Sequence, residues 1–303
     1  MLNKLKFNFI IFRNGLLMGM ADAVPGVSGG TIALILGIYE KLIFSISECM
    51  IFFKNKFPSK SFDSFLSSFN FLFTLGLGML TSYYFITKIL VGSDENPGLL
   101  LDSSSAPYIF SLFFGLVISS IREPWSFVKS RSYFQYFLCI FGFCIVIAYT
   151  RLSLGTHESN LLLIISGCLA LTAMLLPGIS GSLVLLTLGQ YTIVAGSVHE
   201  FDFQILFYFL FGGLIGLFFF IPLMNYMLTA HRENIMSVLT GLMIGSLSTL
   251  WPWKETYEAK GISPNLSINQ VLEEYTIFSI LSTIIFCFLG FGFYLSLNKL
   301  KKK

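Results

Sequence analysis

The chain has 303 residues, of which 55% are hydrophobic and only 12% are charged. Soluble domains contain roughly 25% charged residues, so this composition excludes an ordinary water-soluble protein and indicates an integral membrane protein with a lipid-facing apolar surface. A formal net charge of +3 favours no nucleic-acid partner, and five cysteines without a CxxC pair, accompanied by only three histidines, predict no disulfide framework, metal site or other cofactor.

Six segments are predicted to cross the membrane as helices. Five have the length of roughly 17 to 25 residues that the hydrocarbon thickness requires. The shorter segment begins at Pro107, where a first-turn proline is tolerated, and is predicted to be a tilted or partly buried span. In chain order the six spans are predicted at about 69–91, 107–121, 133–151, 203–228, 234–250 and 275–297.

Two other apolar regions, about 9–38 and 161–190, are interrupted by proline and clustered glycine. The interruptions read VPGVSGG from Val24 and PGISGS from Pro177. Non-helical backbone at membrane depth persists only where protein or a water-filled cavity satisfies its polar groups. Each region is therefore predicted to be a re-entrant hairpin, in which a broken helix enters the membrane and returns to the side it came from.

The two interruptions also indicate an internal repeat. When Pro25 is aligned with Pro177, eight of the fifteen positions from 25 to 39 are identical. A repeat of this length predicts one structural unit that occurs twice. We predict a single membrane domain, 1–303, composed of one repeat at 1–152 and a second at 153–303.

Loop charges predict the orientation, because cytoplasmic loops are enriched in lysine and arginine. The segments 92–106 and 191–202 contain neither residue and are predicted to lie outside. Both termini are then cytoplasmic, and three crossings in each half invert the second repeat relative to the first. The predicted fold is an all-α integral membrane protein with an inverted repeat, each half a re-entrant broken-helix hairpin plus three transmembrane helices, as in secondary transporters. The residues taken to mark the cytoplasmic side are Lys54, Lys56, Lys60, Arg122, Lys129, Arg131, Arg232, Lys299, Lys301, Lys302 and Lys303.

The strongest candidate site is the pair of interruptions. A short helix is predicted after each one, and its first turn presents unpaired N–H groups and the positive end of the helix dipole. Such an end suits an anion, above all a phosphate or a carboxylate. The alternative is that proline and glycine only kink buried helices and allow close packing. The candidate phosphate-binding residues are Gly26, Ser28, Gly29, Gly30, Thr31, Gly178, Ser180, Gly181 and Ser182.

Three ionisable residues near the first interruption are candidates for coupling or charge pairing. Asp22 precedes Pro25 by three residues, at membrane depth, where an ionisable side chain is costly and functional by default. It is predicted to take up a coupling proton or another cation such as sodium, or to hold a basic partner; the alternative is a simple helix cap. Glu40 and Arg13 are the other two candidates. Alternatively, Glu40 pairs with Lys41 at the interface and Arg13 only sets the orientation.

The segment from Arg13 to Glu40, RNGLLMGMADAVPGVSGGTIALILGIYE, together with PGISGS at 177–182, resembles the bacterial polyprenyl-phosphate transporters. The resemblance covers essentially the whole chain. It implies a flippase in the bacterial cytoplasmic (inner) membrane that returns undecaprenyl phosphate to the inner leaflet for another round of envelope-polymer synthesis. The partner it implies is a polyprenyl phosphate lipid.

Two other functions are alternatives. Membrane undecaprenyl-pyrophosphate phosphatases use similar hairpins with a PGxSRSG turn, but Gly29 and Gly181 stand here where that family has arginine. No ExxxE pair lies in the first hairpin either, so the charges that would stabilise phosphoryl transfer are missing. We therefore expect binding without hydrolysis, and no enzyme. A small-anion symporter is the remaining alternative. The coupling ion, the polyprenyl length and the oligomeric state do not follow from the sequence.

Overall fold

The computed structural model describes residues 2–24, 26–55, 62–90, 98–151, 159–200, 202–257 and 263–301. These residues form fourteen helices and no β-strand, with one isolated bridge between Lys254 and Asn265. The all-α prediction is therefore confirmed for this part of the chain. The residues outside the described part of the chain include Pro25, residues 92–97 of the predicted outer segment 92–106, the predicted boundary at 152–153, and Lys56, Lys60, Lys302 and Lys303.

The helices divide into two series of similar order. The first series is α1 (Leu2–Asp22), α2 (Gly29–Ile35), α3 (Tyr39–Lys54), α4 (Phe62–Leu90), α5 (Ala106–Ser120), α6 (Arg122–Trp125) and α7 (Tyr133–Thr150). The second series is α8 (Asn160–Leu175), α9 (Gly181–Thr187), α10 (Tyr191–Glu200), α11 (Phe203–Ala230), α12 (Arg232–Ser246), α13 (Ile268–Glu274) and α14 (Ile277–Lys301).

Five helical segments of the described chain are long and apolar enough to cross a membrane, which confirms five of the six predicted spans. They are α4, α5 continued through α6, α7, α11 and α14. The segment formed by α5 and α6 is 56% buried in its most apolar stretch, against 17–22% in the other four, as expected of a partly buried span. The exposed aromatic and aliphatic side chains of the other four suit contact with lipid.

The predicted span at 234–250 is not among these five. It is the 15-residue helix α12, which starts with the polar turn Arg232–Glu233–Asn234 and ends at Ser246. Most of its side chains are buried against other helices, so protein rather than lipid surrounds it. The apolar residues of this segment predicted a lipid-facing span, because hydropathy alone does not distinguish burial in protein from burial in lipid.

Both predicted helix interruptions are present. The first separates α1 from α2, and the second separates α8 from α9. Four glycines have positive φ among the residues that the structure describes, and they fall at matching positions of the two halves: Gly26 (92°) with Gly178 (87°), and Gly37 (72°) with Gly189 (67°). Residues with a side chain rarely adopt a positive φ, so glycine is what permits each turn. Beyond Gly37 the chain bends by 116° between α2 and α3.

Helix packing follows the same two series. Helix α1 packs on α4, and α8 packs on α11 in the corresponding way. The other two main pairs exchange partners between the halves, since α5 packs on α14 and α12 packs on α7. The exchange joins the two series through one buried core that draws side chains from both.

Each of these four pairs crosses at two facing glycines. A Cβ atom added to either glycine would overlap the carbonyl group of the residue three positions before the partner glycine. Lipid tails are as apolar as leucine, so close backbone approach through small residues is what holds membrane helices together. The crossings are Gly15 with Gly78, Gly167 with Gly212, Gly115 with Gly290, and Gly142 with Gly241.

The crossing of α5 with α14 can be tested on α14 alone. Gly290→Ala places a methyl group against the carbonyl oxygen of Leu112, whereas nothing lies within 4 Å of the corresponding atom at Gly292. We expect Gly290→Ala to destabilise the protein by about 1–3 kcal/mol, the usual cost of overpacking. Gly292→Ala should be neutral or stabilising, by up to about 1 kcal/mol, because alanine favours a helix. Thermal unfolding in detergent measures both, and equal melting temperatures would contradict a packing role for Gly290.

Candidate functional site

The two helix interruptions contact each other, although they are far apart in the sequence. The Ser28 hydroxyl lies 3.1 Å from the carbonyl oxygens of both Met174 and Leu176, at the end of α8. In return, the Thr31 hydroxyl oxygen accepts a hydrogen bond from the N–H of Gly178 at 3.1 Å, across 147 positions of sequence. Ser28 and Thr31 are fully buried. The predicted site residues of the two halves therefore do meet in one place.

Two backbone N–H groups at the start of α2 already donate hydrogen bonds to nearby side chains. Ser28 is the N-cap residue, with extended backbone, and its hydroxyl oxygen accepts the N–H of Gly30 at 3.0 Å. Asp22, at the end of α1, accepts the N–H of Gly29 at 2.6 Å through a carboxylate oxygen. A Cβ on Gly29 would lie 2.5 Å from the other carboxylate oxygen, so glycine is what admits the carboxylate. Asp22 is thus a helix cap in this conformation.

The start of α9 differs from the start of α2. Ser180 is its N-cap residue and makes no side-chain capping bond; its hydroxyl is instead 2.7 Å from that of Ser182. The position that corresponds to Asp22 is Met174, which lies seven residues before Gly181 as Asp22 does before Gly29. A Cβ on Gly181 would lie 2.5 Å from the Met174 side chain. One interruption therefore carries a carboxylate, and the other carries a thioether.

This difference was not visible in the aligned motifs. The prediction treated both helix starts as equally open to an anion, but two amide groups of α2 are already bonded to Asp22 and Ser28. At the start of α9 no side-chain cap takes their place. The motif alignment began at Pro25, three residues beyond the side chain that makes the halves unequal.

Arg13 and Glu40 lie away from the interruptions. Arg13 donates to the side-chain oxygen of Asn14 at 3.0 Å, and it precedes Asp22 by nine residues, about 13 Å along a helix axis. Glu40, at the start of α3, accepts from Arg232 at 2.8 Å, and both side chains are exposed. The predicted alternative partner, Lys41, instead has its ammonium over the ring of Phe71. Glu40 therefore links α3 to α12.

Sequence reasoning missed a buried lysine beside the first interruption. Lys254 is 9% exposed, and its ammonium donates to the carbonyl oxygen of Thr249 at 2.7 Å. The hydroxyl of that threonine would lie 2.6 Å from a Cβ on Gly26. The available signal was the sequence WPWKET, in which a single lysine follows two tryptophans at the end of an apolar segment.

Sequence reasoning also missed a buried carboxylate, that of Glu123, which lies near the C-terminal end of α14. Glu123 is 7% exposed and accepts one hydrogen bond from the Tyr294 hydroxyl and one from the Lys301 ammonium, each at 2.8 Å. The ion pair of Glu123 and Lys301 lines a cleft of about 550 Å³, together with Arg122 and Asn298. The sequence presents Glu123 as one charge in a basic loop, and nothing there indicates its burial.

Among the residues described, no group of three or more histidine, cysteine or acidic side chains is placed to hold a metal ion. The site therefore consists of backbone amides, hydroxyls and two isolated charges, Asp22 and Lys254. Groups of this kind can bind an anion.

These features define a multi-pass, all-helical membrane protein whose two interrupted helices meet. The VCA0040-like family model, described as undecaprenyl phosphate translocase-like, matches residues 18–265, so the chain belongs to that family. The chain is 37% identical over 248 residues to a polyprenyl-phosphate transporter of Vibrio cholerae, covering 81% of this chain and 78% of the relative. It is 33% identical over 266 residues to a polyprenyl-phosphate transporter of Staphylococcus aureus, covering 82% and 87%. No solved structure matches the chain. The family expected from the residues is confirmed.

The unequal helix starts give a stability prediction. Ser28→Ala removes the cap of α2 and the contact with the end of α8, so we expect a loss of about 1–2 kcal/mol of stability. Ser180→Ala is the matched control, because Ser180 occupies the same position but makes no capping bond. Its cost should be less than half as large. Thermal unfolding of the two variants in the same detergent measures the difference, and a larger loss for Ser180→Ala would contradict the assigned roles.

Proposed function

We propose that the chain transports polyprenyl phosphate, returning undecaprenyl phosphate from the outer to the inner leaflet of the bacterial cytoplasmic membrane. The observation that carries the proposal is the contact between the two interruptions, read together with the names of the relatives. Backbone amides and hydroxyls meet there in the protein interior, and such groups recognise phosphate. The phosphatase-type arginine is absent from both turns, where Gly29 and Gly181 stand, which favours binding without hydrolysis.

The proposed architecture is a single membrane domain with an inverted repeat, halves near 1–152 and 153–303, and two re-entrant hairpins that enter from opposite sides. Three observations support it: the matching order of helices, the matching positive-φ glycines and the matching glycine crossings. The arrangement requires α12, although it is short and surrounded by protein, to cross the membrane as the third helix of its repeat with α11 and α14, and both termini are then cytoplasmic. Transporters built this way bind substrate where the repeats meet.

The topology can be tested with single cysteines in a variant that lacks the five native ones. Ser130 and Ser103 are both exposed and lie in different loops. With an impermeant thiol reagent applied to intact cells, Ser103→Cys should be labelled and Ser130→Cys should react only after lysis. Labelling of Ser130→Cys from outside would overturn the inverted arrangement.

The phosphate site is proposed to include the start of α9, which is open, and the start of α2, which becomes available when Asp22 is displaced. The hydroxyls of Ser180 and Ser182 bond only to each other among the described contacts, so they can turn to an incoming oxyanion. At the start of α2, the Asp22 carboxylate already occupies the amide of Gly29. A phosphate therefore competes with Asp22 there, and protonation of Asp22 weakens the competitor.

This competition offers a means of coupling. Moving one negative charge inward against an inside-negative potential costs about 2.3 kcal/mol per 100 mV. A proton that arrives at Asp22 cancels one charge of the moving complex and at the same time frees an amide donor for the phosphate. The same residue would then serve both as a cap in the empty protein and as the coupling site during transport.

The function is tested by the accessibility of undecaprenyl phosphate at the surface of cells that contain no redundant transporter. Depletion of the protein should enlarge the outer-leaflet pool, because return of the carrier is blocked. Re-expression should restore the original pool. An unchanged pool after depletion would contradict transport of this lipid.

Asp22→Asn tests the coupling in the same cells. Asparagine keeps an oxygen that can accept from Gly29 but cannot titrate, so we expect the protein to reach the membrane and its transport to lose dependence on pH and membrane potential. Asp202→Asn is the matched control, since Asp202 also caps a helix, α11, through two backbone N–H groups. Asp202→Asn should keep the wild-type dependence. Transport by Asp22→Asn with unchanged dependence on both would leave Asp22 as a cap alone.

A further inference from the structure

Lys254 carries a buried charge that the described structure does not balance. Its ammonium has one hydrogen bond, to the Thr249 carbonyl oxygen, and lies 4.5 Å from the ring centre of Phe110 on α5. Both salt bridges in the described part of the chain involve other residues. Burial lowers the pKa of Lys254 to about 8, so the side chain still carries its proton at neutral pH. A buried charge is normally paired, since its loss of hydration is otherwise uncompensated.

A purely structural role accounts for part of this arrangement. Thr249 lies just beyond the end of α12, and cations favour the carbonyl groups at the end of a helix. The bond to the Thr249 carbonyl oxygen uses only one of the three ammonium protons, however. A neutral donor could make the same bond, so this contact does not explain why a charged side chain is buried here. The backbone of Lys254 is held independently, by the bridge to Asn265 and by a hydrogen bond from its N–H to the Tyr257 hydroxyl at 3.3 Å.

The position of Lys254 connects it to the first interruption. Thr249 touches both groups: its carbonyl oxygen accepts from Lys254, and its hydroxyl lies against Gly26. The corresponding position in the other half, counted from Trp251 and its counterpart Trp125, is Val128, which is buried and apolar. Asp22 contacts the first interruption directly and Lys254 reaches it through Thr249, and the counterpart of each charge in the opposite half is uncharged.

We infer that Lys254 is the cation of an anion-binding site at the first interruption, and that its ligand is a phosphate monoester headgroup. The inference rests on the proposed function for the choice of a lipid as the source of that headgroup. The headgroup supplies the missing negative charge, and the Thr249 hydroxyl, which donates to the carbonyl oxygen of Ser246 at 2.8 Å in this conformation, can turn to the headgroup as a further donor. A buried ammonium that gains such a partner forms a charge-assisted hydrogen bond, which is among the stronger kinds in proteins.

The test measures binding of farnesyl phosphate to the purified full-length protein in detergent, with farnesol and inorganic phosphate as separate arms. Lys254→Gln keeps a donor for the Thr249 carbonyl but removes the charge, and Lys254→Arg keeps the charge. Lys299→Gln, at an exposed position of α14, is the control for loss of one positive charge. We expect Lys254→Gln to weaken binding about tenfold or more, as loss of a charged hydrogen bond does. Lys254→Arg should bind within about threefold of wild type, and Lys299→Gln should be unchanged.

Each outcome decides between the two claims. Wild-type affinity in Lys254→Gln would overturn the role of Lys254 and leave the proposed transport intact. If wild type binds farnesyl phosphate no better than farnesol, the proposed substrate is wrong, and the inorganic-phosphate arm then decides whether Lys254 belongs to an anion site. If neither phosphate compound binds to wild type, both claims fail.

A second measurement uses the wild-type protein, in case the variants do not reach the membrane. Reductive methylation modifies lysine side chains through their deprotonated amino groups, and mass spectrometry reports its rate at each site. Farnesyl phosphate should slow the methylation of Lys254 while that of Lys299 stays constant. Equal rates at Lys254 with and without farnesyl phosphate would overturn the inference.

Discussion

The structure depends on one constraint: a helix that stops inside a membrane exposes amide and carbonyl groups that no water can reach. Here the two interrupted helices satisfy each other. Ser28 reaches the carbonyl groups at the end of α8, and Thr31 accepts the N–H of Gly178. Neither interruption would be tolerated without the other, because each provides polar partners that lipid lacks. The contact between the halves is therefore a condition of folding as well as part of the proposed ligand site.

The glycine crossings give this contact its rigid surroundings. Two of them hold α1 on α4 and α8 on α11, so each broken helix leans on a long helix of its own half. The other two fix α5 to α14 and α7 to α12, each pair taking one helix from either half. Because backbone meets backbone at these points, little freedom remains for the pairs to slide. Motion between the states of a transporter would then take place between pairs rather than within them.

Much of the fold could be predicted because its signals are local. The two PG turns, the positive-φ glycines they require and the long apolar runs are visible in single segments of sequence. The predicted span at 234–250 is shorter than expected, a 15-residue helix whose apolar residues are largely buried in protein. The inequality of the two helix starts depends on Asp22 and Met174, outside the matched motif, and the burial of Lys254 depends on how its loop folds onto α5. These features arise from tertiary contacts, which a hydropathy pattern does not contain.

The replacement of Asp22 by Met174 in the second half has an energetic consequence. In the proposed inverted arrangement, two identical halves would make the inward-facing and outward-facing states equivalent by a twofold rotation, and therefore equal in free energy. A carboxylate on one helix start and a thioether on the other remove that degeneracy. Because the carboxylate titrates and the thioether does not, the difference in free energy between the two states becomes a function of proton concentration. Under the proposed architecture, a nearly symmetric scaffold would thereby acquire a preferred resting orientation that the pH of the surrounding medium adjusts.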